Sequence, residues 1–298
     1  IYVMETIHII APFINANGDD WCAIDMYLRL HDDSQVFLWC EQTPHADLAA
    51  YPIRNIKAYQ GEAPSGGTLY IYGSATTIGR WYDQIKFKRI VLMHNRFDQD
   101  AFYRSMHRLV LDGKRRVEIN YVSKMVRDTI GLPGEIYYPQ PHPARFKPVA
   151  LQERKSSQPF TVGRIGADSI GKHHYHDIDI YRELAQNDIQ VKIFGGTCLA
   201  AWLGNQANIE LLPAISHHKA PEIHAMLDCF YYRTSAHNKD AFSIEVAEAI
   251  ASELPIVCFN DGGHTEIVSG YEKGFLFETK QEALDLILGL RSTNTKTH

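Results

Sequence analysis

The chain has 298 residues, 45% of them hydrophobic and 22% charged, with a formal net charge of −5. This length allows two domains with substantial cores, and the composition is that of a globular protein. The negative charge argues against a general nucleic-acid binder, so we expect no nucleic acid among its partners. The five cysteines are widely spaced and form no CxxC pair, which is typical of a reducing compartment and predicts a cytoplasmic protein. No apolar run has the length of a membrane span.

The first half alternates short apolar runs with helical or loop segments. The runs predict strands at residues 6–13, 36–39, 68–73, 89–94, 121–123 and 135–138. Continuous apolar strands of this kind favour a parallel sheet that is covered on both faces. The chain opens with a strand, a loop containing Gly18 and Asp19, and a helix, as nucleotide-binding units do. The loop lacks the GxGxxG pattern, so a plain strand–turn–helix connection remains an alternative.

His94 stands at the carboxyl end of its predicted strand. Open α/β sheets place their sites at that edge, so His94 is a candidate functional residue. A structural histidine is the alternative.

Residues 80–116 are locally basic, with ten Lys or Arg residues against four Asp. Five aromatic residues are interleaved with them: Trp81, Tyr82, Phe87, Phe102 and Tyr103. Such a surface would suit an anionic membrane or a phosphorylated acceptor. The alternative is an ordinary solvated helix face.

A proline-rich stretch followed by a polar run predicts a linker at 146–158. We therefore expect an N-terminal domain at 1–148 and a C-terminal domain at 149–298. The second half restarts the alternation, with strands predicted at 160–164, 191–196, 209–213, 229–232, 255–259 and 274–277, and helices at 177–186, 220–228, 244–254 and 280–290.

Two of the acids in the stretch 239–257 lie eight residues apart, Asp240 in a loop and Glu248 in the helix that follows. The free amides of the first helical turn attract anions and would suit a phosphate, and the acids would suit sugar or ribose hydroxyls. The alternatives are a simple N-cap and a solvated Glu.

Arg164 and Lys172 are candidates to clamp a diphosphate without a metal. Each of them could also be an ordinary surface charge. The histidine run at 173–176 lacks the spacing of a metal site, so we expect none.

The order of these motifs resembles the retaining GT-B glycosyltransferases of family four. The second half is similar to the donor domain of that family through Val162-Gly163-Arg164, Lys172, Gly195-Gly196, Asn208-Ile209, Asp240-Ala241-Phe242-Ser243-Ile244, Glu248, Leu254-Pro255-Ile256-Val257, Asp261-Gly262-Gly263 and Gly274-Phe275-Leu276. The first half resembles the acceptor domain more loosely, through the Gly18 loop, His94, Val122-Ser123, Arg127-Asp128 and Gly131-Leu132-Pro133. Asp240 stands where the family usually has Glu, and Glu253 replaces the usual Gly before Leu254.

The resemblance implies an α/β fold of two Rossmann-like domains that face each other across a cleft. It implies that Arg164 and Lys172 hold the diphosphate, that Glu248 binds the ribose, and that Asp240 stands close to the transferred sugar. Amides of Phe242, Ser243 and Ile244 would touch phosphate or sugar. His94 would meet the donor sugar, and the loop of Gly18 and Asp19 would approach the phosphates or the acceptor.

The function implied is transfer of a sugar, with retention, from a nucleotide diphosphate sugar of UDP or GDP type to a hydroxyl acceptor. The acceptor would be a glycan, a lipid-linked molecule or a small molecule, as in polysaccharide or glycoconjugate biosynthesis, with no cofactor and no metal. A non-catalytic nucleotide-sugar binding module or regulatory subunit is the alternative, favoured by the Asp240 exchange. A sugar-nucleotide epimerase is a third and weaker option, because the extra acids that it needs are not assignable.

Overall fold

The computed structural model describes residues 5–146 and 159–294. The chain divides into two compact units, Ile1–His142 and Pro143–His298. Nearly all of the predicted linker at 146–158 lies outside the described residues. No helix within the described ranges has the length and apolar character needed to cross a bilayer.

The first unit is built on a seven-stranded sheet with the order β3-β2-β1-β4-β5-β6-β7, and all of its strand pairs are parallel. Its strands are β1 Thr6–Ile10, β2 Gln35–Cys40, β3 Ile53–Asn55, β4 Thr68–Tyr72, β5 Arg89–His94, β6 Glu118–Tyr121 and β7 Glu135–Ile136. Its helices are α1 Gly18–Leu30, α2 Trp81–Gln84, α3 Gln99–Val110 and α4 Lys124–Ile130. The predicted parallel sheet is confirmed, and β3 is an additional three-residue edge strand.

The second unit carries a six-stranded parallel sheet with the order β10-β9-β8-β11-β12-β13. Its strands are β8 Thr161–Ile165, β9 Gln190–Phe194, β10 Ile209–Leu212, β11 Cys229–Tyr232, β12 Ile256–Phe259 and β13 Gly274–Phe277. Its helices are α5 Asp177–Gln186, α6 Ala200–Leu203, α7 Ala220–His224, α8 Ile244–Ala251, α9 Thr265–Val268 and α10 Lys280–Asn294.

Strand β11 shows how the second sheet is buried on both faces. Cys229 and Tyr231 belong to the apolar cluster that includes residues of α5 and α10, and Phe230 and Tyr232 belong to the one that includes residues of α7 and α8. Because successive side chains of a strand point to opposite faces, a continuous apolar run is needed to fill both cores.

Helix α7 is shorter than the predicted 220–228. Beyond His224 the backbone turns through bonds from Met226 N to Ile223 O and from Leu227 N to His224 O. Asp228 lies beside the start of β8, where its carboxylate accepts a hydrogen bond from Thr161 N at 2.7 Å. The tertiary contact therefore ends the helix four residues before its sequence pattern does.

The basic stretch 80–116 contains α2 and α3, and most of its aromatic side chains belong to the core. Trp81, Tyr82 and Phe102 are buried, whereas Tyr103 is 51% exposed. Arg108 pairs with Asp83 at 2.6 Å, and Arg115 lies 4.1 Å from the centre of the Tyr82 ring. The exposed face of this stretch is thus basic rather than aromatic.

Candidate functional site

The second unit brings two buried arginines to the carboxyl ends of β8 and β11. These neighbouring strands are the point where the strand order reverses, the position at which open α/β sheets bind ligands. Arg164 is buried near the end of β8, and Arg233 directly follows β11. Arg164 Nη1 donates to Arg233 O at 2.9 Å, and its Nη2 donates to Lys172 O. The guanidinium of Arg164 therefore anchors the backbone of the loop that carries Lys172.

Lys172 and Asp240 form an ion pair at this edge. Lys172 ends a short 3-10 turn, and its Nζ lies 2.9 Å from Asp240 Oδ1. Tyr232 donates its hydroxyl to the other oxygen, Asp240 Oδ2, at 2.5 Å. The lysine side chain is 34% exposed and that of Asp240 is 12% exposed. A half-exposed ammonium beside a fixed carboxylate is well placed to meet an anionic ligand.

The start of α8 adjoins the same acid. Ser243 is the N-cap, and its hydroxyl accepts from Val246 N at 3.2 Å and donates to Glu245 at 2.8 Å. The first intrahelical bond runs from Ala247 N to Ser243 O, so the amides of Ile244 and Glu245 have no acceptor within the helix. Phe242 lies between this cap and Asp240, and it is half-buried. The alternative that Asp240 is a simple N-cap is thus wrong, because Ser243 caps the helix, and two amides of the first turn remain for an anion.

Glu248 is fully buried in α8, which excludes the alternative of a solvated side chain. Its carboxylate accepts from Arg145 Nη2 at 3.2 Å and from His217 Nδ1 at 3.1 Å and 3.0 Å to its two oxygens. Burial lowers the pKa of His217, but the charge and hydrogen bond of Glu248 outweigh that effect and raise it to about 9. His217 is therefore cationic at neutral pH, and Glu248 lies between two cations.

A second buried charge lies under Arg164. Asp177, at the start of α5, accepts from the Tyr231 hydroxyl at 2.8 Å and lies 3.7 Å from Arg233 Nη1. Burial raises the pKa of Asp177 to about 6 although both arginines oppose that shift. This cluster holds two guanidinium groups against one carboxyl group, so it has an excess of positive charge close to Lys172.

Two histidines of the run at 173–176 contact residues of this site. His173 Nε2 bonds to Gly195 O at 2.8 Å, and His174 Nε2 lies 3.2 Å from Arg233 Nη2. Burial lowers the pKa of each of these histidines to about 4. Over the described part of the chain, no three His, Cys, Asp or Glu side chains are grouped as ligands for one metal ion.

The remaining candidates lie in the first unit. Gly18 is the first residue of α1, and the side chain of Asn17 already accepts from the amides of Asp19 and Asp20 at 3.1 and 3.2 Å. Asp19 accepts a hydrogen bond from Asn95 and lies 4.0 Å from Arg96, and burial raises the pKa of its carboxyl. The start of α1 therefore offers a ligand the carboxylate of Asp19, whereas the amides of Asp19 and Asp20 are already bound to the Asn17 side chain.

His94 is enclosed by the rings of Phe102 and Tyr121. Within the described residues neither of its ring nitrogens has a hydrogen-bond partner, and burial lowers its pKa to about 4. It is thus a neutral, buried imidazole at the carboxyl end of β5.

Sequence reasoning did not single out Arg145, His217, Tyr232 or Arg233. Arg233 had a usable signal, because it follows a strand directly, in the same way as Arg164 ends one. Arg145 and His217 gave none, since 103 and 31 positions separate them from Glu248.

Residues 151–293 match the family model described as Glycosyl transferases group 1. A comparison with curated proteins gives no significant match. Among solved structures, the chain is similar to HepE of Anabaena in complex with UDP-glucose, with 16% identity, a TM-score of 0.66, and coverage of 98% of this chain and 92% of that one.

Two synthases are similar as well. Sucrose-phosphate synthase from Thermosynechococcus elongatus has 11% identity and a TM-score of 0.69, with 97% of this chain and 90% of that chain covered. A trehalose-6-phosphate synthase, analysed for glycosyl transfer with retention, has 9% identity and a TM-score of 0.59, with 97% and 95% covered. At these identities the likeness shows the fold. The chain therefore has the GT-B fold of two Rossmann-like domains, and its second unit is similar to the glycosyl transferases group 1 family.

Proposed function

We propose that the chain is a retaining glycosyltransferase that moves a sugar from a nucleotide diphosphate sugar, of UDP or GDP type, to a hydroxyl acceptor. The observation that carries this proposal is the grouping of Lys172, Asp240 and the first turn of α8 at the strand-order reversal of the second sheet. The match of this unit to the group 1 family supports it, and so does the UDP-glucose bound by HepE.

The diphosphate would bind where positive charge is concentrated. Lys172 offers an ammonium, the α8 amides offer donors, and the buried Arg164 and Arg233 add positive potential behind them. Groups of this kind stabilise charge as it develops on a leaving diphosphate. In this proposal Arg164 acts on the phosphates by its charge and by holding the backbone of Lys172.

The two acids would contact hydroxyl groups of the donor. One carboxylate oxygen of Asp240 contacts Lys172 and the other contacts Tyr232. The position of this carboxylate beside the proposed diphosphate site is therefore constrained. Glu248, five residues into α8, would accept from the ribose. His94 and the start of α1, with Gly18 and Asp19, would serve the sugar and the acceptor.

The reaction proposed breaks the bond between the anomeric carbon and the leaving phosphate oxygen, and forms one to the acceptor oxygen on the same face. The acceptor's proton passes to the leaving phosphate, which becomes the nucleoside diphosphate. Cationic side chains and helix amides would stabilise the negative charge of the leaving diphosphate, as a metal ion does in other enzymes. We therefore propose a reaction without metal or cofactor.

We further propose a cytoplasmic enzyme whose exposed basic residues in 80–116 give it peripheral contact with anionic membrane. The exposed side chains Arg80, Lys86, Lys88, Arg104, Lys114 and Arg116 support such an electrostatic contact. The five cysteines are free thiols, in keeping with a reducing compartment.

The test is a thermal-shift screen over UDP- and GDP-sugars, followed by turnover with the sugar that binds. We expect one class to raise the melting temperature, because a ligand that binds the native state stabilises it. Incubation with acceptor alcohols should then release nucleoside diphosphate, and the product should keep the anomeric configuration of the donor by NMR. Inversion would refute retention, and binding with no turnover would favour a non-catalytic binding module.

A further inference from the structure

The buried carboxylate of Glu248 contacts two cationic side chains. His217 contacts both of its oxygens, at 3.0 and 3.1 Å, and Arg145 contacts one of them at 3.2 Å. The side chains of Arg145 and His217 are 8% and 13% exposed, whereas that of Glu248 is 0% exposed. A hydroxyl group from a ligand therefore reaches Glu248 only by replacing one of these contacts.

The geometry indicates which contact is the easier one to replace. His217 spans both oxygens and is fixed in a short 3-10 turn that leads directly into α7. Arg145 reaches a single oxygen from residues 143–146, which precede the second sheet, and its guanidinium also lies 4.9 Å from the Phe146 ring. One cation is sufficient to balance one carboxylate, so Glu248 keeps a counter-charge when Arg145 leaves it.

We propose that His217 is a positioning residue that holds the Glu248 carboxylate in one orientation, and that the donor's ribose replaces Arg145 on it. This inference rests on the proposed function and goes beyond it, because it assigns a role to two residues outside the family motifs. Once Arg145 has moved, an oxygen of Glu248 can accept from a ribose hydroxyl while His217 stays bound.

The charge of His217 depends on every ionisable group that faces it. Glu248 and Glu245 of α8 raise its pKa, Arg145 lowers it, and His224 of α7 stays neutral because burial keeps its own pKa low. The folded-state pKa of about 9 lies above the ordinary value of 6.5. His217 is therefore charged at pH 7 and loses its charge as the pH rises through 9. Glu248 then depends on Arg145 for its counter-charge, so the ribose has a stronger competitor.

The experiment measures Kd by calorimetry for UDP, GDP and ADP, and for the 2′-deoxy and 3′-deoxy forms of the one that binds. The readout is the Kd of the deoxy nucleotide divided by the Kd of the parent nucleoside diphosphate. This ratio cancels any effect of a variant on the binding of the base or the phosphates. We expect a ratio of about tenfold or more in the unmodified protein, because a hydrogen bond to a charged group is strong. His217→Ala should reduce it to about one, and His217→Asn, which keeps a donor near the Nδ1 position, should recover part of it.

Two further variants separate this role from a general effect on packing. His218→Asn changes the exposed neighbour and should leave the ratio unaltered. Arg145→Met should keep the ratio or raise it, because it removes the competitor of the ribose. If the His217 variants unfold, the unmodified protein still provides the test, since its ratio should fall between pH 7 and pH 10.

The outcomes distinguish the inference from the function on which it rests. A nucleotide that binds with a ratio unaffected by His217→Ala, or a ratio lost in Arg145→Met, would overturn the inference and leave the glycosyltransferase proposal standing. If none of the three nucleoside diphosphates binds the unmodified protein, both proposals fall.

Discussion

Lys172 is the side chain on which the proposed chemistry depends most directly. It is the half-exposed cation of the site, whereas Arg164 and Arg233 are almost wholly buried. A buried arginine that binds backbone carbonyls contributes field and support, but an ammonium at the surface can contact the leaving group itself. Loss of Lys172 should therefore remove a direct contact to the leaving group, whereas loss of a buried arginine should remove the field and the backbone support that it provides.

Replacing Lys172 with alanine should lower kcat/KM by about 10²–10³, the usual cost of removing one group that stabilises the leaving charge. Steady-state kinetics with the donor identified by the thermal-shift screen will measure it. The matched control is Lys239→Ala, which removes the same charge from an exposed pair with Asp261 at 2.5 Å. Equal losses of kcat/KM in the two variants would show that the effect comes from the net charge of the protein and not from the position of Lys172.

Asp240 illustrates how one side chain gains a defined position from its neighbours. Its carboxylate is shared between Lys172 and the Tyr232 hydroxyl, and its backbone oxygen accepts from Gly263 N at 3.0 Å. The shorter side chain, where the family usually has Glu, is thus fixed at two points, and its backbone at a third. This residue would be poorly oriented without the loop at 261–263.

Among the elements, β8 requires a small residue at Gly163. A Cβ on Gly163 would lie 2.3 Å from both terminal carbons of Leu227, which is itself fully buried. Leu227 belongs to the core under α7 and α8, so it has little freedom to move aside. The glycine before Arg164 therefore lets this strand approach the turn after α7 closely.

Gly163→Ala should lower the free energy of unfolding by about 1–3 kcal/mol, as overpacking of a core commonly does. Urea unfolding followed by circular dichroism will measure the change. Gly270→Ala is the matched control, because its Cβ would meet nothing nearer than Ile267 O at 3.9 Å. A Gly163 variant as stable as this control would mean that Leu227 can relocate.

The α8 segment shows how one element can combine capping with the anion binding that we propose. Ser243 caps the helix through Val246 N, while the two preceding amides stay available to an anion. The next turn places Glu248 on the buried side. A helix of eight residues thus brings a cap, the proposed anion site and the carboxylate of Glu248 to one end of the sheet.

At the scale of the whole molecule, each unit has its own parallel sheet and its own core. All cationic groups that we assign to the diphosphate belong to the second unit. A nucleoside diphosphate without its sugar should therefore be recognised mainly by that unit.

Hydrogen exchange with mass spectrometry will test this division. On binding UDP or GDP, amides in 164–172 and 240–248 should exchange more slowly, since bound ligand suppresses local opening. Peptides that cover β2 and β3 of the first unit serve as the internal control and should not change. Protection confined to the first unit would contradict the assignment of the diphosphate site.

The periodicity of the sequence determined most of the secondary structure by itself. Strands β1, β2, β4, β5, β8, β9 and β11 and helix α5 follow directly from apolar runs and helical spacing, because burial on both sheet faces demands such runs. The loop position of Asp240 before the helix start at Ile244 was also readable, since helix starts carry local signals. Short edge elements such as β3 were not, because three residues carry too little pattern.

Only the tertiary structure decided which charges meet. Arg145 and His217 come to Glu248, and Arg233 comes to Asp177, through contacts between residues far apart in the chain. The end of α7 was likewise decided by a bond from Thr161 to Asp228. Local patterns encode burial and turn geometry, but the partner of a buried charge depends on how strands are ordered in the sheet. That order is a property of the folded chain and has no counterpart in the spacing of residues.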